Sequence, residues 1–276
     1  MKSLKPRLLT AVIGIPIVLL VIFLSELWHP FVNIIVGLAT AIMIGEYLNG
    51  KKLLKYYPLS GVCILFAFVL SLIIKTQAVY AVVFAFVVAA FLIVIAMHKR
   101  LSYADLTYAL LGTLLISFGM GAIALVCSND ISVSFYFVVI FLLPWMSDAG
   151  GFFVGASMGK HKLCPEISPK KTVEGAIGGI MFCMISAVIM GLIFQFLIIP
   201  DVYVNFFSLI IIGLLDAVFS IIGDLSFSFI KRNLGIKDYG TIFPGHGGFL
   251  DRFDSIIFTA PLVVIVGQFL PFLSLG

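Results

Sequence analysis

Nine apolar runs, each close to twenty residues long, follow one another through the sequence and leave little of the chain for anything else. A helix that crosses a bilayer needs about 20 apolar residues. The chain is 62% hydrophobic and only 11% charged, whereas soluble domains average about 25% charged residues. The sequence therefore predicts an all-α, polytopic integral membrane protein. The predicted spans are 8–27, 31–49, 58–75, 78–97, 104–127, 134–157, 174–198, 205–230 and 255–273.

The distribution of basic residues indicates the orientation of these spans. With the N-terminus in the cytoplasm, every Lys and Arg except Lys75 falls on the cytoplasmic side, as the positive-inside rule requires. The two longest polar segments, near 158–173 and 231–254, are then cytoplasmic, and we expect the active site to face that compartment from the cell inner membrane or its equivalent. Residues 1–133 and 134–276 are predicted as two regions of one continuous membrane unit.

Several acidic residues lie inside the predicted spans, where they must face a partner, a water-filled cavity or a metal. An ionised Asp costs about 2.5–3.5 kcal/mol at the bilayer centre. Asp216, Ser220 and Asp224 share one face of the eighth span, because their spacing is i, i+4, i+8. Asp148 follows Pro144, which frees backbone groups at depth. We expect a functional role for Asp224 and Asp148, and leave a functional and a structural role open for Asp216.

Two other features of the spans have structural interpretations. Glycines recur at every fourth position from Gly151 to Gly159, a spacing that predicts close helix packing. Glu46 lies near the cytoplasmic end of the second span, where an ion pair with the neighbouring Lys51 and Lys52 would account for it.

The first cytoplasmic segment has a pattern that suits phosphate. Ser168 followed by Pro169 predicts a helix start. Lys170 and Lys171 come next, ahead of Glu174 and a glycine-rich helix. A helix N-terminus with nearby lysines binds phosphate well. The alternative is that the lysines are interfacial anchors.

The second cytoplasmic segment is dense in charge, glycine and histidine. His246, Gly247 and Gly248 stand just before the ninth span and can present amides to an anion. Asp251 and Asp254 are spaced i, i+3 at the start of that span, hence on one face, although acids there also suit the helix dipole. Carboxylates on two helices suit Mg²⁺ with substrate phosphates and water. We therefore expect a metal-assisted phosphoryl-type reaction between a lipid and a water-soluble nucleotide.

Residues 228–254 closely resemble the signature of the CDP-diacylglycerol synthase (phosphatidate cytidylyltransferase) family. The matching run reads Ser-x-Ile-Lys-Arg from Ser228, then Lys237-Asp238, then His-Gly-Gly-Phe-x-Asp-Arg-Phe-Asp from His246. The Ser-Pro-Lys-Lys-Thr-x-Glu-Gly run from Ser168 and the Gly-Asp pair that ends at Asp224 are similar to the family as well. The resemblance covers roughly the C-terminal half of the chain.

The resemblance implies a transferase of phospholipid biosynthesis, in which CTP and phosphatidate give CDP-diacylglycerol and diphosphate. The phosphatidate phosphate attacks the α-phosphorus of CTP in line. On the same resemblance, we expect Mg²⁺ to be held by Asp224 and Asp251, and a second cation such as K⁺ to share Asp251. The resemblance further implies a homodimer and no nucleic acid partner.

The remaining site residues are assigned on the same resemblance. The expected roles are catalysis for Asp148 and Lys237 beside Asp224 and Asp251; substrate binding for Lys170, Lys171, Lys231, Arg232, His246, Gly247, Gly248 and Arg252; and support of metal waters or lysines for Glu174, Asp238 and Asp254.

A secondary transporter that uses its buried acids as an ion site is the alternative from another class of protein. Such a transporter places its acids near the bilayer midplane, often in repeated halves, whereas the polar residues here crowd one predicted face. A second alternative is a different CDP-lipid enzyme, which exchanges an alcohol for CMP. Such enzymes resemble a family marked by an Asp-Gly-x-x-Ala-Arg run, and this sequence has no such run.

Overall fold

The computed structural model describes residues 30–126, 133–199, 202–243 and 247–275. Within these ranges, short connections join eight α-helices, a 3₁₀ turn precedes the second helix, and a π-helical turn extends the sixth. The helices are α1 (Pro30–Gly50), α2 (Tyr57–Ile73), α3 (Ala78–Ala96), α4 (Tyr103–Val126), α5 (Val133–Met158), α6 (Val173–Ile193), α7 (Phe206–Asn233) and α8 (Leu250–Phe269). The 3₁₀ turn is Leu53–Lys55 and the π-helical turn is Phe194–Ile198.

Six of the described helices are long and apolar enough to cross a membrane, namely α1, α3, α4, α5, α6 with its π-helical turn, and α7. The apolar α2 is shorter, at 17 residues. Large apolar side chains stay exposed on these helices, as on α3, where Phe84 is 71% and Leu92 61% exposed, and such a surface suits lipid. The predicted all-α membrane architecture is confirmed. The first predicted span, 8–27, lies outside the described residues, so nine spans and a cytoplasmic N-terminus stay predictions.

In the described ranges, four short strands form two antiparallel pairs outside the helices. Strand β1 (Lys162–Cys164) pairs with β2 (Ser168–Thr172), and β3 (Val202–Val204) pairs with β4 (Leu273–Leu275). The first pair fills the connection between α5 and α6.

The β1–β2 hairpin corrects the prediction of a helix start at Ser168 and Pro169. Both residues lie in β2, and the helix begins only at Val173. The reason is that Thr172 supplies the N-cap: its Oγ1 accepts a hydrogen bond from the Gly175 amide at 3.1 Å.

The chain forms two compact units. The N-terminal unit comprises Met1–Ser128 and Asn233–Phe253, so it contains α1 to α4, the segment after α7 and the first residues of α8. The C-terminal unit comprises Asn129–Arg232 and Asp254–Gly276, with α5 to α7 and the rest of α8.

In the N-terminal unit, α1 packs against α2 and α4. Tyr47 of α1 stacks on Tyr108 of α4 with ring centroids 4.2 Å apart, and the Tyr108 hydroxyl donates to the Tyr47 carbonyl at 2.7 Å. Gly112 makes this approach possible, because a Cβ there would overlap the Tyr47 ring. An ion pair between Lys51 and Asp105, at 2.8 Å, joins the same two parts of the chain.

In the C-terminal unit, α5 and α6 pack closely through glycines. A Cβ on Gly155 would lie 2.9 Å from Thr172 Oγ1, and a Cβ on Gly178 would overlap the Val154 side chain. The close packing predicted for the glycines from Gly151 to Gly159 is therefore confirmed. The dense contact holds the β1–β2 hairpin and the start of α6 against α5.

Helices α7 and α8 meet at Gly223. A Cβ there would lie 2.8 Å from the Asp254 carbonyl oxygen and 3.1 Å from Ser255 Cα, so the two helix backbones touch. The rings of Phe227 and Phe258 continue the contact, with centroids 6.3 Å apart. Asp224, the residue after Gly223 on α7, is consequently carried next to a helix crossing.

Replacing Gly178 tests the glycine packing. Gly178→Ala should lower the thermal stability of the purified protein in detergent, because overpacking costs roughly 1–3 kcal/mol. Gly61→Ala on α2 is the matched control, since a Cβ there meets nothing within 4 Å and Ala favours a helix over Gly by about 1 kcal/mol. Equal melting temperatures for the two variants would contradict the packing described.

Candidate functional site

A pocket in the C-terminal unit lies between α5, the β1–β2 hairpin and the start of α6. Its volume is about 190 Å³, below the roughly 300–1,000 Å³ of pockets for drug-sized ligands. The size therefore suits a phosphate group and its immediate surroundings rather than a complete nucleotide. The polar side chains in its lining are Ser147, Asp148, Lys170, Lys171 and Thr172, and the glycines are Gly151, Gly175 and Gly179.

Lys171 connects this pocket to α7. Its Nζ lies 2.5 Å from Asp224 Oδ2, and the two side chains are 24% and 27% exposed. Lys170 lines the same pocket and is exposed. The structure thus brings together four residues predicted from separate motifs: Asp148 from α5, the two lysines from β2, and Asp224 from α7.

Asp254 and Lys231 extend this group of charges. Both residues are 7% exposed, and the Asp254 Oδ1 accepts a hydrogen bond from the Ser255 amide at 2.8 Å. The Asp254 carboxylate lies within electrostatic range of Asp224, Lys231 and Asp148. We call the set Asp148, Lys171, Asp224, Lys231 and Asp254 the charged cluster. Because it contains more acids than lysines, a bound cation would reduce the repulsion among its carboxylates.

Asp216 and Ser220 lie on the same face of α7, two turns and one turn before Asp224. Both are fully buried, as the predicted stripe requires. Neither oxygen of the Asp216 carboxylate nor the Ser220 hydroxyl completes a hydrogen bond within the described residues. The face is therefore polar throughout its length, but only its Asp224 end pairs with a lysine of the pocket.

Glu174 binds the segment that follows α5. Its Oε2 accepts the Lys160 amide at 3.0 Å and its Oε1 contacts His161 Nδ1 at 2.6 Å. Glu174 was predicted to support the lysines or metal waters; its contacts in the described part of the chain are instead with this connection. Arg232, another predicted residue, is exposed and donates from Nε to the Ile167 carbonyl in the β1–β2 turn at 3.4 Å.

In the N-terminal unit, Asp238, Gly247 and Gly248 lie close to Asp251. The Asp251 Oδ2 accepts the amides of Tyr239 at 2.8 Å and Gly248 at 2.9 Å, and the residue is 8% exposed. Gly247 adopts φ +88° between Asp251 and Asp238, where a Cβ would lie 3.1 Å from Asp251 Oδ2 and 3.3 Å from Asp238 Oδ1. The segment therefore folds tightly over a carboxylate.

Three further predicted residues lie on this segment. Lys237 and Arg252 are exposed. His246 lies outside the described residues, so its predicted contact with phosphate or cytosine stays a prediction.

The ion pair expected between Glu46 and its neighbouring lysines is wrong. Lys51 lies beyond the last residue of α1 and reaches Asp105 of α4 instead. Glu46 accepts the Phe249 amide at 3.0 Å and the Leu250 amide at 2.8 Å, at the start of α8. One feature of the sequence indicated that α8 needs a cap from elsewhere in the chain. Phe249 precedes the helix and has no side-chain oxygen with which to accept a hydrogen bond from its first amides.

The described side chains supply only some of the ligands that a metal ion needs. No group of three or more His, Cys, Asp and Glu side chains is placed to hold a metal ion in the described ranges. Asp224 and Asp254, at the crossing of α7 and α8, offer two carboxylates. Mg²⁺ commonly takes one or two carboxylates and completes its shell with water and substrate phosphates. The donor set fits that ion better than a metal bound by protein side chains alone.

The fold and these sites define a helical membrane protein whose polar residues suit phosphate-bearing ligands, since they combine lysines, carboxylates and a helix N-terminus. A profile of the cytidylyltransferase family matches residues 5–270. The chain therefore belongs to the cytidylyltransferase family, as the resemblance of its C-terminal half predicted.

Individual relatives match over almost the whole chain. The chain is 30% identical over 270 residues to a phosphatidate cytidylyltransferase of Staphylococcus epidermidis, covering 95% of this chain and 98% of the relative. It is 31% identical over 272 residues to the protein of that name from Staphylococcus aureus, with the same coverage. The Staphylococcus haemolyticus protein is 38% identical over 168 residues, 61% of each chain. None of these similarities supports the secondary transporter.

Removing the Glu174 carboxylate tests its hold on the segment after α5. Glu174→Gln should raise the rate of tryptic cleavage at Lys160 and Lys162 several-fold, because a neutral amide oxygen accepts the Lys160 and His161 amides less strongly than a carboxylate does. Glu166→Gln, an exposed acid in the same connection, is the control. Peptide mapping by mass spectrometry gives the rates, and unchanged cleavage in Glu174→Gln would exclude this anchoring role.

Proposed function

We propose that the protein transfers CMP from CTP to phosphatidate and so forms CDP-diacylglycerol and diphosphate for phospholipid biosynthesis. The name shared by relatives that match 95% of the chain supports this activity. The structural observation that carries the proposal is the ion pair between Lys171, in a phosphate-sized pocket, and Asp224, beside a second acid. A phosphate group and a cation can be bound side by side in such a site.

The pocket binds a substrate phosphate through Lys170, Lys171 and the N-terminus of α6. A helix N-terminus attracts anions through its free amides and its dipole. Thr172 accepts the Gly175 amide and so keeps the first turn of α6 in place. The two lysines neutralise phosphate oxygens, which draws the two negatively charged substrates together.

Asp224 and Asp254 hold Mg²⁺ in this proposal. Their like charges at one helix crossing, and the preference of Mg²⁺ for one or two carboxylates, support the assignment. Asp251 remains a ligand on the resemblance, with K⁺ as a candidate second cation, and the Tyr239 and Gly248 amides orient its carboxylate. When bound, Mg²⁺ neutralises charge on the triphosphate and on the leaving diphosphate.

The reaction needs positioning and charge neutralisation rather than a side-chain base. An oxygen of the phosphatidate phosphate forms a bond to the α-phosphorus of CTP, and the bond from that phosphorus to the bridging oxygen of the β-phosphate breaks. The electron pair leaves with diphosphate. The attacking group is already an anion, so no proton has to be removed, and Lys170 and Lys171 hold it against the α-phosphate.

The proposal also includes the membrane topology, the side of the membrane that the active site faces and the oligomeric state. The positive-inside distribution supports nine spans, a cytoplasmic N-terminus and a cytoplasmic active site in the cell inner membrane or its equivalent. Phosphatidate enters from the bilayer and CTP from the water on that side. The homodimer rests on the family resemblance, and measuring the mass of the protein in detergent by light scattering tests it.

The defining experiment follows the label of [α-³²P]CTP into lipid. Purified protein in detergent with phosphatidate and Mg²⁺ should form labelled CDP-diacylglycerol. Asp224→Asn and Asp254→Asn should each lower kcat at least about 100-fold, as loss of one electrostatic group in an active site typically does. Asp105→Asn, which removes the acid paired with Lys51 in the N-terminal unit, is the folded control.

Two results would count against this proposal. No labelled lipid from folded wild-type protein would remove the activity. Near wild-type turnover of either site variant would remove that carboxylate from the metal site.

Lys170 allows a separate test of phosphate binding. Lys170→Met should raise KM for a phosphate-bearing substrate about 10-fold or more, because a hydrogen bond to a charged group contributes roughly 1.5–3 kcal/mol. Lys75→Met, an exposed lysine on the other predicted side of the membrane, should leave KM unchanged. Steady-state kinetics with each substrate varied in turn identifies which phosphate the lysine binds; no change for either would exclude the contact.

A further inference from the structure

Helix α8 begins without a cap from its own segment. Phe249 precedes it, and the amides of Phe249 and Leu250 donate to the two carboxylate oxygens of Glu46, at 3.0 and 2.8 Å. Glu46 lies in the last turn of α1, more than 200 residues earlier in the chain. The first amides of a helix lack partners within the helix, and a carboxylate there is also favoured by the helix dipole. Glu46 therefore supplies from α1 the cap that the sequence before α8 lacks.

Backbone encloses the Glu46 carboxylate. A Cβ on Gly248 would lie 2.5 and 2.6 Å from its two oxygens, and a Cβ on Gly240 would overlap the carboxylate. Glu46 itself is 8% exposed. No ion pair to Glu46 is present in the part of the chain that the structure describes. The Glu46 carboxylate is thus stabilised by hydrogen bonds from the Phe249 and Leu250 amides and not by an ion pair with a lysine.

The contacts of Glu46 and those of Asp251 meet in the same segment. Gly248 donates its amide to Asp251 Oδ2 and turns its Cα toward Glu46. Tyr239 donates its amide to Asp251 Oδ2 and places its ring 5.9 Å from that of Tyr47, the residue next to Glu46. A shift of the Glu46 carboxylate would consequently move both amides that orient Asp251.

We propose that Glu46 is a positioning residue: from the end of α1 it fixes the start of α8 and the segment 239–250, and through them the orientation of the Asp251 carboxylate. The kinetic part of this inference rests on the proposed function, in which Asp251 serves the metal site. The effect of Glu46 on the conformation of segment 239–250 is independent of the proposed function.

Three variants change this contact in different ways. Glu46→Gln keeps the size but turns an NH₂ group toward a backbone N–H, and Glu46→Asp keeps the charge on a shorter side chain. Gly240→Ala pushes on the carboxylate without altering Glu46. Gly45→Ala, where a Cβ meets nothing within 4 Å, and Asp105→Asn, which removes a different acid of the same unit, are the matched controls.

The first readout is independent of activity. Trypsin cleavage at the exposed Lys237 is measured by mass spectrometry and normalised to cleavage at Lys162 in the β1–β2 hairpin. Glu46→Gln and Gly240→Ala should raise the ratio about tenfold, the size of change expected when a charge-assisted hydrogen bond is lost. Glu46→Asp should raise it less, and the two controls should match the wild type.

The second readout is the Mg²⁺ concentration that gives half-maximal activity. It should rise about tenfold in Glu46→Gln and Gly240→Ala, with kcat at saturating Mg²⁺ largely retained and with partial recovery in Glu46→Asp. A purely structural role would instead lower the melting temperature and raise cleavage at both lysines equally, and that result overturns the proposal. Unchanged cleavage together with an unchanged Mg²⁺ requirement would overturn the proposal as well. If the wild type makes no product, the proposed function fails, and the cleavage ratio still decides whether Glu46 holds the segment.

Discussion

Backbone amides in the polar segments of this protein need acceptors, and acidic side chains from other parts of the chain supply them. Glu46 receives the first amides of α8, Asp251 receives those of Tyr239 and Gly248, and Glu174 receives those after α5. A backbone amide that is buried without an acceptor costs free energy comparable to a lost hydrogen bond. The conformation of the segment before α8 and of the connection after α5 therefore depends in part on these few carboxylates.

The helices were predictable because apolar runs and polar breaks mark them directly. Seven of the predicted spans agree with α1 to α7 within three residues at each end once the π-helical turn after α6 is included. Helix α8 begins five residues earlier than predicted, at Leu250, because its first turn contains Asp251 and Asp254 and so has no apolar pattern. The β1–β2 hairpin was missed, since Ser168 and Pro169 satisfy a local rule for helix starts that strand pairing overrides.

For the site, the sequence identified residue types but not all of their partners. The i, i+4, i+8 stripe on α7 predicted the inward face of Asp216, Ser220 and Asp224, and the family motif pointed to Lys171. That Lys171 pairs with Asp224 follows from the packing of α5, α6 and α7, which no local pattern encodes. Glu46 was misassigned for the same reason: its nearest charged neighbours in sequence were lysines, whereas its partners lie more than 200 residues away.

The contact at Gly223 has a consequence for the two acids beside it. Asp224 follows this glycine on α7, and the Asp254 carbonyl lies against it from α8, so backbone meets backbone with no side chain between. Flexible side chains can rotate to suit ions of different radius, but two touching backbones cannot approach further. The separation of the two backbones that carry these acids is thus fixed by the helix crossing, and in the proposed magnesium site only the two carboxylate side chains would adjust to the ion.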